Sequence, residues 1–506
     1  MKKLLLFVII SSLMITFSVS NTSCRRKVDN IDTTKNNQDR KIGYLFYTSF
    51  IDEYNPKLFE TFAKFKAEGV TDLIVDLRYN HGGSIGAATY LASLIAPKAA
   101  VQSKAVFSQL DFNAYLNNVY GDDRVYKLGE FNPAYSNPLN ANLDLKNVYI
   151  IATDDSYSAA ELLAFCLKPH MNVVHVGNET GGKFTASFTV TPFDSYKGKA
   201  VALYDSTKLT LSEKDSLRNW GMQPIVAIYS DKNNNNFSNP GKLIPNVPVT
   251  SRENDRTAYK PLADPTDYMI AAALTKISSI SASTVRTPSL PRSVNAAQQA
   301  KLYVAKDALL RESVLWTPPV NAASSQTNMV SGLNIVSEFA YDGLSVFYKW
   351  SDYMKNKIPT SADNDPVKYF ESLLYPLDTQ NGWSWITNDV SALLAEFAGE
   401  PVDFGWAFNL LWADASKSRI IGVVKYVYPN TPAANAGIGR GDMVTQINGT
   451  NITDVTGAAG DYRRLFGGET LNVAVESVIG NKTVTLTPVR INTNPVLKDT
   501  IYTVKR

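Results

Sequence analysis

Two residues in this 506-residue chain have the types that a nucleophile and its base require. Ser158 lies in Asp154-Asp155-Ser156-Tyr157-Ser158-Ala159-Ala160-Glu161, and Lys183 closes Gly177-Asn178-Glu179-Thr180-Gly181-Gly182-Lys183, 25 positions further on. A serine hydroxyl is a weak nucleophile until a base takes its proton. A lysine can be that base when neutral, which requires burial to bring its pKa from about 10.4 towards neutrality. The bland alternative for Lys183 is a surface side chain. Ser158 stands before the helix-like run 159–168, whose first N–H groups and dipole favour developing negative charge. The same pattern also reads as a plain capping box with Glu161. Ser156 is the rival nucleophile.

Upstream, Val75-Asp76-Leu77-Arg78-Tyr79-Asn80-His81-Gly82-Gly83 ends in two glycines, which allow close backbone approach. Asp76 and Arg78 are expected to fix this loop. His81 reads either as a substrate contact or as an ordinary loop residue. The other histidines, His170 and His175, read as packing, which disfavours a Ser-His-Asp arrangement. Asp231-Lys232-Asn233-Asn234-Asn235-Asn236 echoes the start of a calcium loop. It lacks the glycine at the sixth position and carries Lys242 where a bidentate glutamate belongs, so it reads as an exposed turn, and no metal site is expected. Cys166, in an apolar stretch, reads as a small core residue.

The elements around these residues alternate. Residues 43–50 are β-prone, and 56–67 carry Leu58, Phe59, Phe62 and Phe65 at helical spacing. Short apolar runs at 73–77, 148–152 and 173–176 read as buried strands, and 84–96 and 158–168 as helices. This alternation predicts an α/β domain over 41–278. Residues 279–330 turn rich in Ser, Thr, Pro and Asn and read as a linker holding one helix. Residues 331–399 read as a helical segment whose aromatic residues serve packing, with a binding role as the alternative. Residues 400–488 read as short strands and turns, with 489–506 as a C-terminal strand.

The composition, 44% hydrophobic and 19% charged with a net charge of +3, is that of a globular chain of several domains, and no basic, aromatic-interleaved run points to nucleic acid. Met1-Lys2-Lys3, an apolar run and small residues up to Cys24 read as a signal peptide over 1–24, with 25–40 as a tether. Cys24 resembles the lipidated cysteine of a bacterial lipoprotein, which places the protein in the cell envelope, exported and anchored to the membrane by lipid. An ordinary signal peptide cut nearby is the alternative.

The Ser158, Lys183 and Gly82-Gly83 motifs together resemble the C-terminal processing peptidases, or tail-specific proteases, which use a Ser/Lys dyad. The resemblance implies a crotonase-like or ClpP-like spiral of βαβ units. It also implies Ser158 as nucleophile, Lys183 as general base, Glu161 in support, and an oxyanion hole from Ala159 with Gly82 or Gly83. No cofactor is implied. Residues 428–449 resemble a protease-associated PDZ domain, with Gly405-Trp406-Ala407-Phe408 in the place of the loop that captures a peptide C-terminus. Ala407 stands where a second glycine is usual, and Ser187 where the family often has glutamine. Protein or peptide substrates are the implied partners. The catalytic region precedes the PDZ region here, the reverse of the family's order, as in a circular permutation that joined Arg506 to Lys41. A rearranged gene would read the same way. A peptide-binding lipoprotein that keeps the scaffold without catalysis is the rival reading.

Overall fold

The computed structural model describes residues 39–193, 196, 199–279 and 332–504. Cys24, the signal peptide, most of the tether, the linker helix and Arg506 lie outside them. Among the described residues no helix is long and apolar enough to cross a membrane.

The central sheet has six strands in the order Val247–Pro248, Asn172–Gly177, Asn147–Ala152, Asp72–Asp76, Arg40–Tyr47, Val496–Val504. The first five run parallel and the last is antiparallel. The strand Asp72–Asp76 is buried along its whole length, which is why the central strands read as unbroken apolar runs and not as alternating ones. The helices Asn55–Ala67, Ile85–Ile95 and Ala159–Cys166 cross over between parallel strands, as the sequence periodicity predicts to within a residue or two.

The last strand brings the end of the chain back to its described beginning, with Val504 opposite Arg40 and Thr503 opposite Lys41. The distance expected between Arg506 and Lys41 falls outside the described residues; Thr503 and Val504 lie beside Lys41 and Arg40.

The segment 332–399 packs directly on the α/β region. Phe339, Phe347, Tyr348, Tyr369 and Phe370 are buried in the same apolar core as the catalytic region. Its strand Trp385–Thr387 pairs with Gly221–Gln223. The aromatic residues are there because one core spans both segments; Phe347 meets Phe188 edge-on at 5.4 Å.

The C-terminal β-rich region has its own core around Phe404, Ile420, Val444 and Val473. Its main strands lie in the order Trp406–Trp412, Ile420–Val427, Met443–Ile447, Leu471–Ser477, Gly480–Leu486. Tyr426 and Tyr428 pack with Ile42, Tyr44 and Phe46 of the central sheet, so this region sits directly on the catalytic one.

Candidate active site

Loops 77–83, 153–158 and 178–183 each follow one of three neighbouring parallel strands. They therefore converge at the carboxyl end of the sheet, where side chains from separate loops can meet.

The first loop is held by a buried ion network. The Arg78 guanidinium donates to Asp76 and, through both terminal nitrogens, to Asp267 at 3.0 and 2.9 Å. Gly82 then approaches the second loop with φ +110°, and a Cβ there would lie 2.8 Å from Ser158 Cβ and 3.0 Å from the Ala159 nitrogen. Glycine is required on both counts. The Gly82 N–H donates to Asn80 Oδ1 at 2.8 Å, so it would have to leave that bond to serve an oxyanion. Gly83 instead faces the Phe50 backbone.

Ser158 caps the helix Ala159–Cys166 with φ +55° and ψ −114°. A non-glycine residue in that conformation stores about 1–3 kcal/mol and survives only where its surroundings hold it. Here the Ser158 N–H donates to Glu161 Oε2 at 2.9 Å, and the Ser158 carbonyl accepts from the Tyr229 hydroxyl at 3.3 Å. Ser156, the rival, is a buried brace: its Oγ donates to the Leu77 carbonyl at 2.7 Å and accepts from the Thr153 N–H at 2.9 Å.

Glu161 joins the second loop to the third. Its carboxylate also accepts from the Thr180 hydroxyl and from the N–H groups of Gly182 and Lys183, both at 2.8 Å. Burial pushes Glu161 up to about 7, against the pull of these donors. The cap and the supporting role expected of Glu161 are thus one arrangement.

The Lys183 side chain is 1% exposed, and its Nζ has no hydrogen-bond partner among the described residues, hence none to Ser158 Oγ. Burial lowers Lys183 to about 8, while the Asp378 and Glu161 carboxylates oppose the shift. A displacement of that size is about 3 kcal/mol. A bond between a nucleophile and its base need not be made before the substrate is in place.

Asp378 has no signal in the sequence. It comes from the segment 332–399 and is fully buried, accepting from the Tyr348 hydroxyl at 2.8 Å, the Ser384 N–H at 2.8 Å and the Ser384 hydroxyl at 2.5 Å. Ser384 Oγ in turn accepts from the Ile225 N–H, and Trp383 meets Phe184, next to Lys183, edge-on at 5.4 Å. The helical segment thereby sets a carboxylate close enough to act on the lysine.

His81 Nε2 lies 3.0 Å from Asp155 Oδ1, and the same carboxylate takes the Lys425 ammonium of the β-rich region. His170 and His175 are tied to backbone carbonyls of Val106 and Ala152, as packing residues are. Cys166 is buried, and burial pushes its thiol up. Asp231 closes its own loop by accepting from the N–H groups of Asn233 and Asn235.

In the β-rich region, Gly405, Trp406, Ala407 and Phe408 line a cavity of about 590 Å³, together with His81, Lys425 and Phe466. Trp406–Trp412 is an edge strand of its sheet among the described residues. Contacts across the junction include Arg440 to Tyr79 at 3.1 Å and Thr48 to Tyr428 at 2.9 Å.

An α/β domain with a strained, helix-capping serine and a buried, unpaired lysine at its carboxyl edge is the architecture of a serine-type peptidase domain. Residues 41–228 match the family model of peptidase family S41, and 423–471 match that of a PDZ domain. The chain thus carries an S41 peptidase domain followed by a PDZ domain, consistent with a C-terminal processing peptidase. Among solved structures it is similar to one described as an S41 protease from Bacteroides fragilis, at 25% identity over 48% of this chain and 55% of that one, with a TM-score of 0.37. It is also similar to the photosystem II D1 C-terminal processing protease, at 16% identity over 42% and 43%, with a TM-score of 0.28. The chain thus spans about half the length of these proteins. No curated protein matches it.

Proposed function

We propose that the protein is an exported serine endopeptidase of the tail-specific type, lipid-anchored in the bacterial envelope through Cys24. Ser158 attacks the scissile carbonyl while Lys183 takes its proton. Lys183 then returns the proton to the leaving amine, and water releases the acyl group from Ser158 by the same exchange. Helix-start amides after Ser158, with the glycine loop, face the developing oxyanion. Protein substrates enter through the PDZ region, adding as a strand beside Trp406–Trp412 with the peptide C-terminus at the 405–408 loop.

The observation that carries this reading is the Lys183 ammonium, buried without a partner and brought to about 8, beside a strained serine tied to it through Glu161. A folded protein does not keep such a group for stability. The test is labelling by a serine-reactive phosphonate. Ser158 should be modified, and neither Ser158→Ala nor Lys183→Ala should be labelled. Labelling that persists in Ser158→Ala would overturn the assignment, and an unlabelled wild-type protein that still binds peptides would favour the non-catalytic reading. A lipid mass on Cys24 in the membrane fraction tests the anchor.

A further inference from the structure

The loop that would receive a peptide C-terminus already holds a carboxylate of its own chain. Asp403 precedes the loop, and its Oδ1 accepts from the Gly405 N–H at 2.6 Å. The amides of Phe404 and Trp406 also act on this carboxylate, offsetting the rise that burial imposes on it. Asp403 lines the same cavity as Gly405, Trp406, Ala407 and Phe408. It is held there from behind, because Val402–Asp403 pairs with Val489–Arg490 in a separate two-stranded ribbon. The ribbon fixes the Asp403 backbone, so its carboxylate can leave the Gly405 N–H only by rotation of the side chain.

Successive N–H groups in such a loop are an anion site. Two carboxylates cannot both ionise on one set of donors without mutual cost. The Lys425 ammonium, which also lines the cavity, is already paired with Asp155 and so is not free to neutralise a second anion.

We propose that Asp403 is a built-in competitor for the carboxylate loop of the PDZ region, a residue that keeps the groove weak towards peptide C-termini and sets which substrates it retains. The inference rests on the recruitment reading above and adds what limits it. A substrate C-terminus must displace Asp403 from the Gly405 amide. Segments that lie along the edge strand without a terminal carboxylate in the loop meet no such competition. The groove then holds substrates mainly through side-chain contacts along Trp406–Trp412, and releases a terminus readily.

The experiment uses the full chain with Ser158→Ala, so that peptides stay intact. Two versions of one apolar-ended peptide, with a free C-terminal acid and with a C-terminal amide, are titrated by calorimetry into this protein and into the same protein with Asp403→Asn or Asp403→Ala. Asp403→Asn keeps an oxygen able to accept from the Gly405 N–H but removes the charge. The expected result is that Asp403→Asn binds the free acid at least about tenfold more tightly, with the amide unchanged. If Asp403 merely braces the turn, Asp403→Asn changes neither affinity and Asp403→Ala weakens both, which overturns the proposal. If every protein already prefers the acid equally, the competitor role fails while recruitment by C-termini stands. If none distinguishes acid from amide, the recruitment reading fails and the competitor role with it.

Discussion

The two sites of this molecule treat buried polar groups in opposite ways. At the proposed dyad, Glu161 takes donors from both loops, while Lys183 Nζ has no partner among the described residues. At the loop of the PDZ region, the Gly405 N–H is filled from within by Asp403. The first arrangement stores a reactive state, because a partnered lysine would stay charged and could not accept a proton. The second stores nothing and makes binding an exchange. Chemistry needs a group held away from its natural partner, whereas reversible recruitment needs a partner that can be replaced.

The largest effect expected at the first site is loss of hydrolysis. Ser158→Ala and Lys183→Ala should each cut kcat/KM on a peptide substrate by about 10⁴-fold or more, with the circular dichroism spectrum unchanged. Residual activity within tenfold of wild type in either variant would break the contrast, since the unpaired lysine would then have no chemical use.

Next in size is a stability gain. The folded-state pKa of Lys183, about 8, lies below its unfolded value, so below pH 8 the native protein carries the full cost of a buried charge. That cost fades as pH rises towards the unfolded value. Lys183→Met should therefore raise unfolding stability by about 2–3 kcal/mol at pH 7. The gain should shrink at pH 10. Urea denaturation at the two pH values is the measurement, and a variant less stable than wild type at both would show that the lysine is not held at a cost.

A smaller effect is expected where the two sites touch. Lys425 reaches from the PDZ region to Asp155, three residues before Ser158, and Asp155 also holds His81 beside the glycine loop. Lys425→Met should change kcat by about threefold to tenfold, with a weaker effect on KM for a short peptide. An unchanged kcat would mean that the PDZ region is attached to the catalytic loops without influencing them.

What can be read in the sequence follows the range of the interactions. The loops of the proposed dyad are short stretches in which glycines, a cap and a strand end are all local, so Ser158, Lys183, Glu161 and Gly82 can be named from local motifs and the family they resemble. The central strands are equally plain, because burial on both faces makes them continuous apolar runs. Asp378, Lys425 and Asp155 act across long separations in the chain. Each is an ordinary polar residue in its own neighbourhood, and only the docking of 332–399 and of the PDZ region gives it a partner. The helical segment shows the same limit: its aromatic residues spell out a core, but not whose core.

Asp378 offers the finest test. Its carboxylate and that of Glu161 both favour the protonated lysine, so they work against the burial that lowers it. Asp378→Asn keeps the shape, and an amide oxygen can still accept from Ser384 and Tyr348. Removing the negative charge should lower the Lys183 pKa further. The wild-type kcat/KM should rise with pH and level off above about 8, as the lysine becomes neutral. In Asp378→Asn the same limb should move to lower pH by about half a unit, the size expected for one charge at a distance. At pH 7 the variant would then be modestly faster than wild type, and at pH 9 the two would agree. A structural role alone would lower the rate at every pH and leave the limb where it is. A limb that moves to higher pH would overturn the attraction between this carboxylate and the protonated lysine, and an unmoved limb with an unchanged rate would mean that the carboxyl is neutral in the working enzyme.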